Sequence, residues 1–197
     1  MYSLLLDSAN RDLNIGLVQN RAIIDRISYP AWQRQSELMV KEIDVILKRN
    51  NISAKDLSEV VVTIGPGSYT GIRIALTIAK TFAFALNIKI FAVSALIAQK
   101  VPHFATISVI NARSNRSYVA LYDKDGKTLI EDKVWNNEEV VEWVQSHLDY
   151  VLAGDASYLG LIDQPVDVLF GMLTAYQQSE AAESVLTLRP VYLKDLL

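Results

Sequence analysis

The sequence predicts an α/β fold of two tandem lobes with one shared order of elements, the second lobe abbreviated. Both halves read strand, strand, strand, helix, strand, so that Asp7, ending the first strand, corresponds to Asn111 in the second half. Short polar turns join the first three strands, which makes them an antiparallel meander. LSEVVVTIG (57–65) is β-branched and apolar for several residues running, as in a strand covered on both faces.

The first three strands are YSLLLD (2–7), DLNIGLVQ (12–19) and AIIDRIS (22–28). Pro30 breaks the chain before a helix over 33–50, where Leu38, Met39, Ile43, Ile46 and Leu47 recur at helical spacing. After the strand at 57–65 come the loop GPGSYTG, a helix from about 70 to 86, and the strand KIFAV (89–93). The second half has strands ATISVIN (105–111) and RSYVALYD (116–123), a hairpin signal at Lys124-Asp125-Gly126-Lys127, and TLIEDKVW (128–135). Asn136 and Asn137 can cap a helix that runs to about His147, with Glu138 and Glu139 favourably placed against its dipole. YVLAG (150–154) is the last strand; a helical stretch at 170–180 and an extended end, LRPVYLK (188–194), remain.

No Gly-, Ser- or Pro-rich linker divides the halves, so one compact unit with lobes at 1–98 and 99–197 is expected. The repeated order matches the actin-like ATPase architecture, each lobe built on a ribonuclease-H-like sheet. A likeness of fold says little about activity.

With 51% hydrophobic and 21% charged residues the 197-residue chain has an ordinary globular composition. Its formal charge of −3 argues against a large phosphate-tracking surface, which needs clustered Lys and Arg; if RNA is involved, a partner does most of the holding. The absence of cysteine excludes disulfides, thiolate zinc sites and cysteine nucleophiles. The apolar start, residues 1–6, has no preceding basic region and ends at Asp7, so it is not read as a secretory leader. No apolar run approaches the roughly 20 residues of a membrane span. Cytoplasm is the expected location, with no membrane partner.

The loop of Gly65, Pro66, Gly67, Ser68, Thr70 and Gly71 is the first candidate for chemistry. A Walker A loop needs Lys and Ser or Thr after its last glycine, but Ile72 and Arg73 follow Gly71. A dinucleotide fingerprint allows two residues between its second and third glycines, and three lie between Gly67 and Gly71. A nucleophile elbow needs glycines two residues either side of Ser68, where Pro66 and Thr70 stand. The loop therefore reads as a tight strand-to-helix turn with Ser68 as a cap, although helix N-terminal amides keep an anion reading open. The loops after the first strand of each lobe, residues 7–10 and 111–114, contain no glycine for close phosphate approach. Asp7 holds a carboxylate where a magnesium-linked acid would sit, against the simpler reading of a turn-forming residue. His103 and His147 show no metal-ligand spacing.

The helix after the loop is apolar over far more than the ~100° stripe that one sheet requires. Its polar residues, Thr70, Arg73, Thr77, Lys80 and Thr81, share one narrow stripe. Each exposed Leu, Ile or Phe forfeits roughly 1.5–3 kcal/mol of burial, so something must cover the rest. Either the other lobe or another chain does so.

GPGSYTGIRIALTIAKTFA resembles the signature of the TsaB family of bacterial tRNA threonylcarbamoyladenosine biosynthesis proteins. LLLDSA is similar to that family's first strand, RQSELMVKEID to its first helix, INARSNRSYVALY to its second-lobe strand pair, and LRPVYLK to its C-terminal motif. The resemblance implies an actin-like fold and a non-catalytic subunit that binds a TsaD-like enzyme and is joined by a TsaE-like ATPase. It implies support for threonylcarbamoyl transfer to the adenosine beside the anticodon, with tRNA met through the complex and ATP and metal held by the partners. It further implies that the helices at 33–50 and 70–86 form a bundle with the equivalent pair of the TsaD-like protein, or of a second copy in a homodimer. The interface residues expected on that basis are Leu38, Met39, Ile43, Ile46, Ile72, Arg73, Ala75, Leu76, Ala79, Lys80, Phe82 and Ala83. Gln35, Asn111 and Lys194 depart from the His, Asp and Arg usual in the family, and the second lobe is short. The alternative is a small actin-fold nucleotide hydrolase or kinase using Asp7 and the loop at 65–71. A glycoprotease reading lacks nucleophile geometry and metal ligands.

Overall fold

The structure, a computed structural model, describes residues 1–193; Lys194, part of the C-terminal resemblance, lies outside the described residues. The first lobe contains β1 (Tyr2–Asp7), β2 (Asp12–Gln19), β3 (Ala22–Pro30), α1 (Gln35–Arg49), β4 (Leu57–Thr63), α2 (Tyr69–Leu86) and β5 (Lys89–Val93). Its sheet has the order β3-β2-β1-β4-β5, with β1, β2 and β3 antiparallel and β4 and β5 joined in parallel beyond β1. β3 runs two residues beyond the expected end at 28 and stops at Pro30, opposite Asp12, before the chain turns into α1. The position is allowed because β3 is an edge strand and needs no donor there.

Side chains alternate across this sheet, as the two-residue period requires. Leu4, Leu6, Val60 and Val62 face the core under α1 and α2, while Leu5 and Val61 face the other side. That other side is covered by α4 (Val168–Tyr176), whose Leu169, Met172 and Leu173 are buried on Leu5, Val61 and Phe91. Asp167 accepts the Phe170 amide at 3.1 Å to start α4, and also pairs with Arg26 of β3 at 2.6 Å.

The second lobe contains β6 (Thr106–Arg113), β7 (Arg116–Tyr122), β8 (Thr128–Asn136), α3 (Asn137–Ser146) and β9 (Val151–Gly154), in the sheet order β8-β7-β6-β9. This repeats the first four positions of the first sheet and stops one strand short, as an abbreviated lobe should. α3 packs on one face through Val140, beside Val109, Val119 and Leu152. The opposite face, Ile110, Ala112, Tyr118, Ala120 and Tyr122, packs on Ala9, Ile72, Ala95 and Leu96 of the first lobe. The lobes thus share a core.

The first sheet is built from residues 2–93 and the second from residues 106–154, while the end of the chain lies with the first. α4 and the segment after it return to the first lobe: Ala182, Val185 and Leu188 pack on the α1–α2 core, and Ala182 N donates to Ile90 O at 2.8 Å. The reason is supply of cover, since the first sheet has a second apolar face that its own elements leave bare. α2 also has the length and mean hydropathy of a membrane span, yet Ile72, Ala75, Leu76, Ala79 and Ala83 are buried within the protein.

Because α4 closes one face of the first sheet, Met172→Ala is expected to cost about 2–5 kcal/mol of unfolding free energy in urea titration. A loss as small as that of a surface substitution would contradict the assigned packing.

Candidate functional site

Two regions qualify: the cleft between the lobes where the glycine loop lies, and the outward surface of α1 and α2. In the loop, Ser68 has extended backbone and its Oγ accepts the Gly71 amide at 3.2 Å, making it the N-cap of α2. Gly65 precedes a cis peptide to Pro66, and its carbonyl accepts Ala95 N at 2.8 Å. The β1–β2 turn lies directly against the loop. Ser68 N donates to Ala9 O at 2.7 Å, and Ser8 Oγ to Gly71 O at 2.8 Å. A Cβ on Gly67 would sit 2.2 Å from Ala9 O, and one on Gly71 would sit 1.9 Å from Ser8 O. These glycines therefore admit the protein's own backbone. Two of the amides in the first turn of α2, Ser68 N and Gly71 N, thus have partners inside the chain, which weakens the anion reading.

Asp7 is buried at the end of β1. Its Oδ1 accepts Thr63 Oγ1 at 2.5 Å and Ala9 N at 3.1 Å, and its Oδ2 accepts Asn14 Nδ2 at 2.9 Å. Burial lifts the carboxyl above its usual 3.8, against the pull of these three donors. Asp7 thus braces β1, β2 and β4 to one another.

The cleft has a volume of about 810 Å³ and is lined by both lobes, with Trp32, Gln35, Ser68, Tyr69, Asn111 and Asp155 among its walls. Gln35 is buried and reaches Asn10 O and Arg11 O at 3.4 Å each, tying α1 to the β1–β2 turn. Asn111 Oδ1 accepts Arg113 N at 2.8 Å, a turn-forming role. Among the described residues no three carboxylate or imidazole groups converge as metal ligands.

The helix surface requires a correction. Met39, Ile43, Ile46, Ile72, Ala75, Leu76, Ala79 and Ala83, expected at a partner interface, are buried in the chain's own core. Leu38 and Phe82 are half-buried against it, and Lys80 is half-buried under the C-terminal segment; Arg73 alone of that set is exposed. Their apolar faces are covered by the sheet, by contact between the helices, and by residues 182–188. Outward surface remains at Val40, 53% exposed, Val45, 45% exposed, and Phe84, 72% exposed, with half-buried Ile74 and Ile78 and the threonines 70, 77 and 81. Phe84 was hidden in an almost uniformly apolar run; Val40 falls outside the α1 stripe, a signal visible in the spacing. Tyr192 was also missed. It stacks on Tyr69 at 5.1 Å and accepts Arg73 Nε at 2.8 Å.

Two sheets of ribonuclease-H-like order, sharing a core and enclosing a cleft, define a two-lobed protein of the actin-like fold. The family described as TsaD, tRNA N6-adenosine threonylcarbamoyltransferase, matches residues 30–166. The chain is 30% identical over 201 residues to the uncharacterized protein MG208 of Mycoplasma genitalium, spanning 98% of this chain and 95% of that one. It is 32% identical over 149 residues to the tRNA threonylcarbamoyladenosine biosynthesis protein TsaB of Bacillus subtilis, 74% of this chain and 65% of that protein. YeaZ from Pseudomonas aeruginosa has the same fold, with a TM-score of 0.81 at 21% identity over 98% of this chain and 99% of its own. The chain belongs to the TsaD family, and within it resembles the relatives named TsaB.

Gly71→Ala is expected to destabilise the protein by about 2–4 kcal/mol in thermal or urea unfolding, because the added methyl must displace backbone. A variant as stable as the parent would refute the close approach. Asp7 carries a pH signature. Its folded pKa lies above the unfolded 3.8, so its favourable contribution is complete below 3.8 and lost as pH rises through the folded value. Urea midpoints over that range should fall for the parent relative to Asp7→Asn; parallel pH profiles would contradict the burial effect.

Proposed function

We propose that the chain is a non-catalytic subunit in the formation of threonylcarbamoyladenosine in tRNA, and that it docks a TsaD-like catalytic protein through the outward surface of α1 and α2. Its membership in the TsaD family and its likeness to relatives named TsaB support the first part. The observation that carries the docking role is the set of large apolar side chains, Val40 and Val45 on α1 and Phe84 on α2, left in water on the helix faces turned away from their own sheet. Threonines and Ala85 beside Phe84 leave room for another helix to approach. A second copy of the chain would find the same surface, and a TsaE-like ATPase would join the assembled complex. With a net charge of −3 the chain meets tRNA through the complex, in which ATP and metal belong to the partners.

The alternative, a hydrolase or kinase using Asp7 and the glycine loop, is opposed by geometry. Both Asp7 oxygens already accept hydrogen bonds, and the β1–β2 turn fills the space against the loop. Magnesium-dependent ATP turnover by the chain alone, abolished by Asp7→Ala, would reverse that judgement.

Docking is tested by titration calorimetry with the cognate TsaD-like protein. Phe84→Asp and Val40→Asp are expected to weaken binding by about tenfold or more while circular dichroism stays unchanged. Absence of binding by the parent, or equal binding by folded variants, would overturn the proposal. Leu76 and Ala79 are unsuitable for this purpose because an acid there attacks the core.

A further inference from the structure

We infer that residues 181–193 form a strap that closes along one flank of α2, opens without unfolding either sheet, and when closed holds α2 in the position from which it docks. The last clause rests on the docking role proposed above. The strap runs antiparallel to the helix. At its start Ala182 N donates to Ile90 O beyond the end of α2; further on Lys80 Nζ donates to Leu186 O at 3.2 Å and Leu188 O at 3.1 Å. At its end Val191 N donates to Ile64 O at 2.8 Å, and Tyr192 meets Tyr69 and Arg73 beside the first turn of α2.

The anchors fit one helix flank. Tyr69, Arg73 and Lys80 recur at helical spacing, and from Tyr69 to Lys80 the helix rises by roughly 16 Å. The strap from Leu186 to Tyr192 spans up to roughly 20 Å when extended, so it follows the helix with little slack. Contact between the helices supports α2 as well. Removing the strap would take Ala182, Val185 and Leu188 from the α1–α2 core and the carbonyl partners from Lys80, leaving α2 free to shift.

The strap is also the part best able to open. It contains no helix or strand, and its apolar anchors are half-buried: Ala182, Val185 and Leu188 on the α1–α2 core, Ala181 on the core under α4 and Leu193 on the interlobe core. Two of its anchors are an ammonium and an exposed aromatic stack, which exchange readily with water. A segment with few ladder hydrogen bonds and little buried area opens at lower free energy than the sheet beneath it.

Hydrogen exchange on the full chain, read by mass spectrometry, is the test. Amides of residues 185–193 should exchange at least about tenfold faster than those of β1 and β4, and about tenfold faster again in Lys80→Met and Tyr192→Ala, with β1 and β4 unchanged. Tyr192→Phe, which keeps the ring, should restore most of the protection. Strap amides as slow as β4, or variants that accelerate exchange throughout the sheet, would overturn the inference. In calorimetry with the cognate TsaD-like protein the two releasing variants should bind about tenfold more weakly, because α2 must be ordered on docking. Binding equal to the parent would sever strap from docking. Failure of the parent itself to bind would remove the docking role and the coupling with it, while the exchange result decides the strap independently.

Discussion

The close approach of the β1–β2 turn to the glycine loop is the constraint on which the rest of the molecule depends. Ser8 and Ala9 bring their carbonyls into space that a methyl on Gly71 or Gly67 would occupy. This seats the first turn of α2 against the end of β1. Ile72, one residue beyond the loop, and Ala9, within the turn, then become the first-lobe side of the core shared with the second sheet. The same contact spends the close approach that Gly67 and Gly71 allow on the protein's own backbone. Chemistry at this loop and compact packing of this loop are alternatives, and the backbone hydrogen bond from Ser68 to Ala9 selects packing.

The second organising feature is the way the apolar excess of α2 is shared out. Its sheet takes Ala75, Leu76, Ala79 and Ala83, while Ile72 enters the interlobe core. The returning C-terminal segment covers the flank at Lys80. What is left is a narrow outward band in which Phe84 is the largest apolar group. One fully buried Phe or Leu is worth roughly 1.5–3 kcal/mol, so leaving Phe84 in water is a real cost that core packing does not offset. α4 supplies the same service on the opposite face of the sheet. Both sides of the first lobe are thus completed by residues from the last part of the chain.

The strands and helices were legible because each carries its own period. DLNIGLVQ alternates with a strand's period, and its bounds in the sequence are those of β2, although the structure buries both of its faces. The order of elements was enough to name the fold, since three short-linked strands followed by helix and strand leave few ways to build a sheet. Ser68 was readable as a cap and the glycines as a turn, from spacing alone. The interface was not readable. Periodicity told which residues of the helices share a face, but Met39, Ile43, Leu76 and Ala79 proved to be the face turned to the sheet. The polar stripe with Thr77 and Thr81, together with Phe84, is the face turned to water.

By itself the sequence determined the element types, the repeated lobe order, the loop's mismatch with the Walker A, dinucleotide and nucleophile-elbow patterns, and the likeness to a family. These follow from local periods, turn residues and motif spacing, which act over a few residues. Only the tertiary structure decided where α4 and the C-terminal segment go, what Asp7 braces, and which part of α2 remains uncovered. Those outcomes depend on contacts such as Thr63–Asp7, Arg73–Tyr192 and Ala182–Ile90, between residues far apart in the chain. A pattern of apolar residues states that a surface must be buried; the neighbour that buries it is chosen by the arrangement of the whole chain.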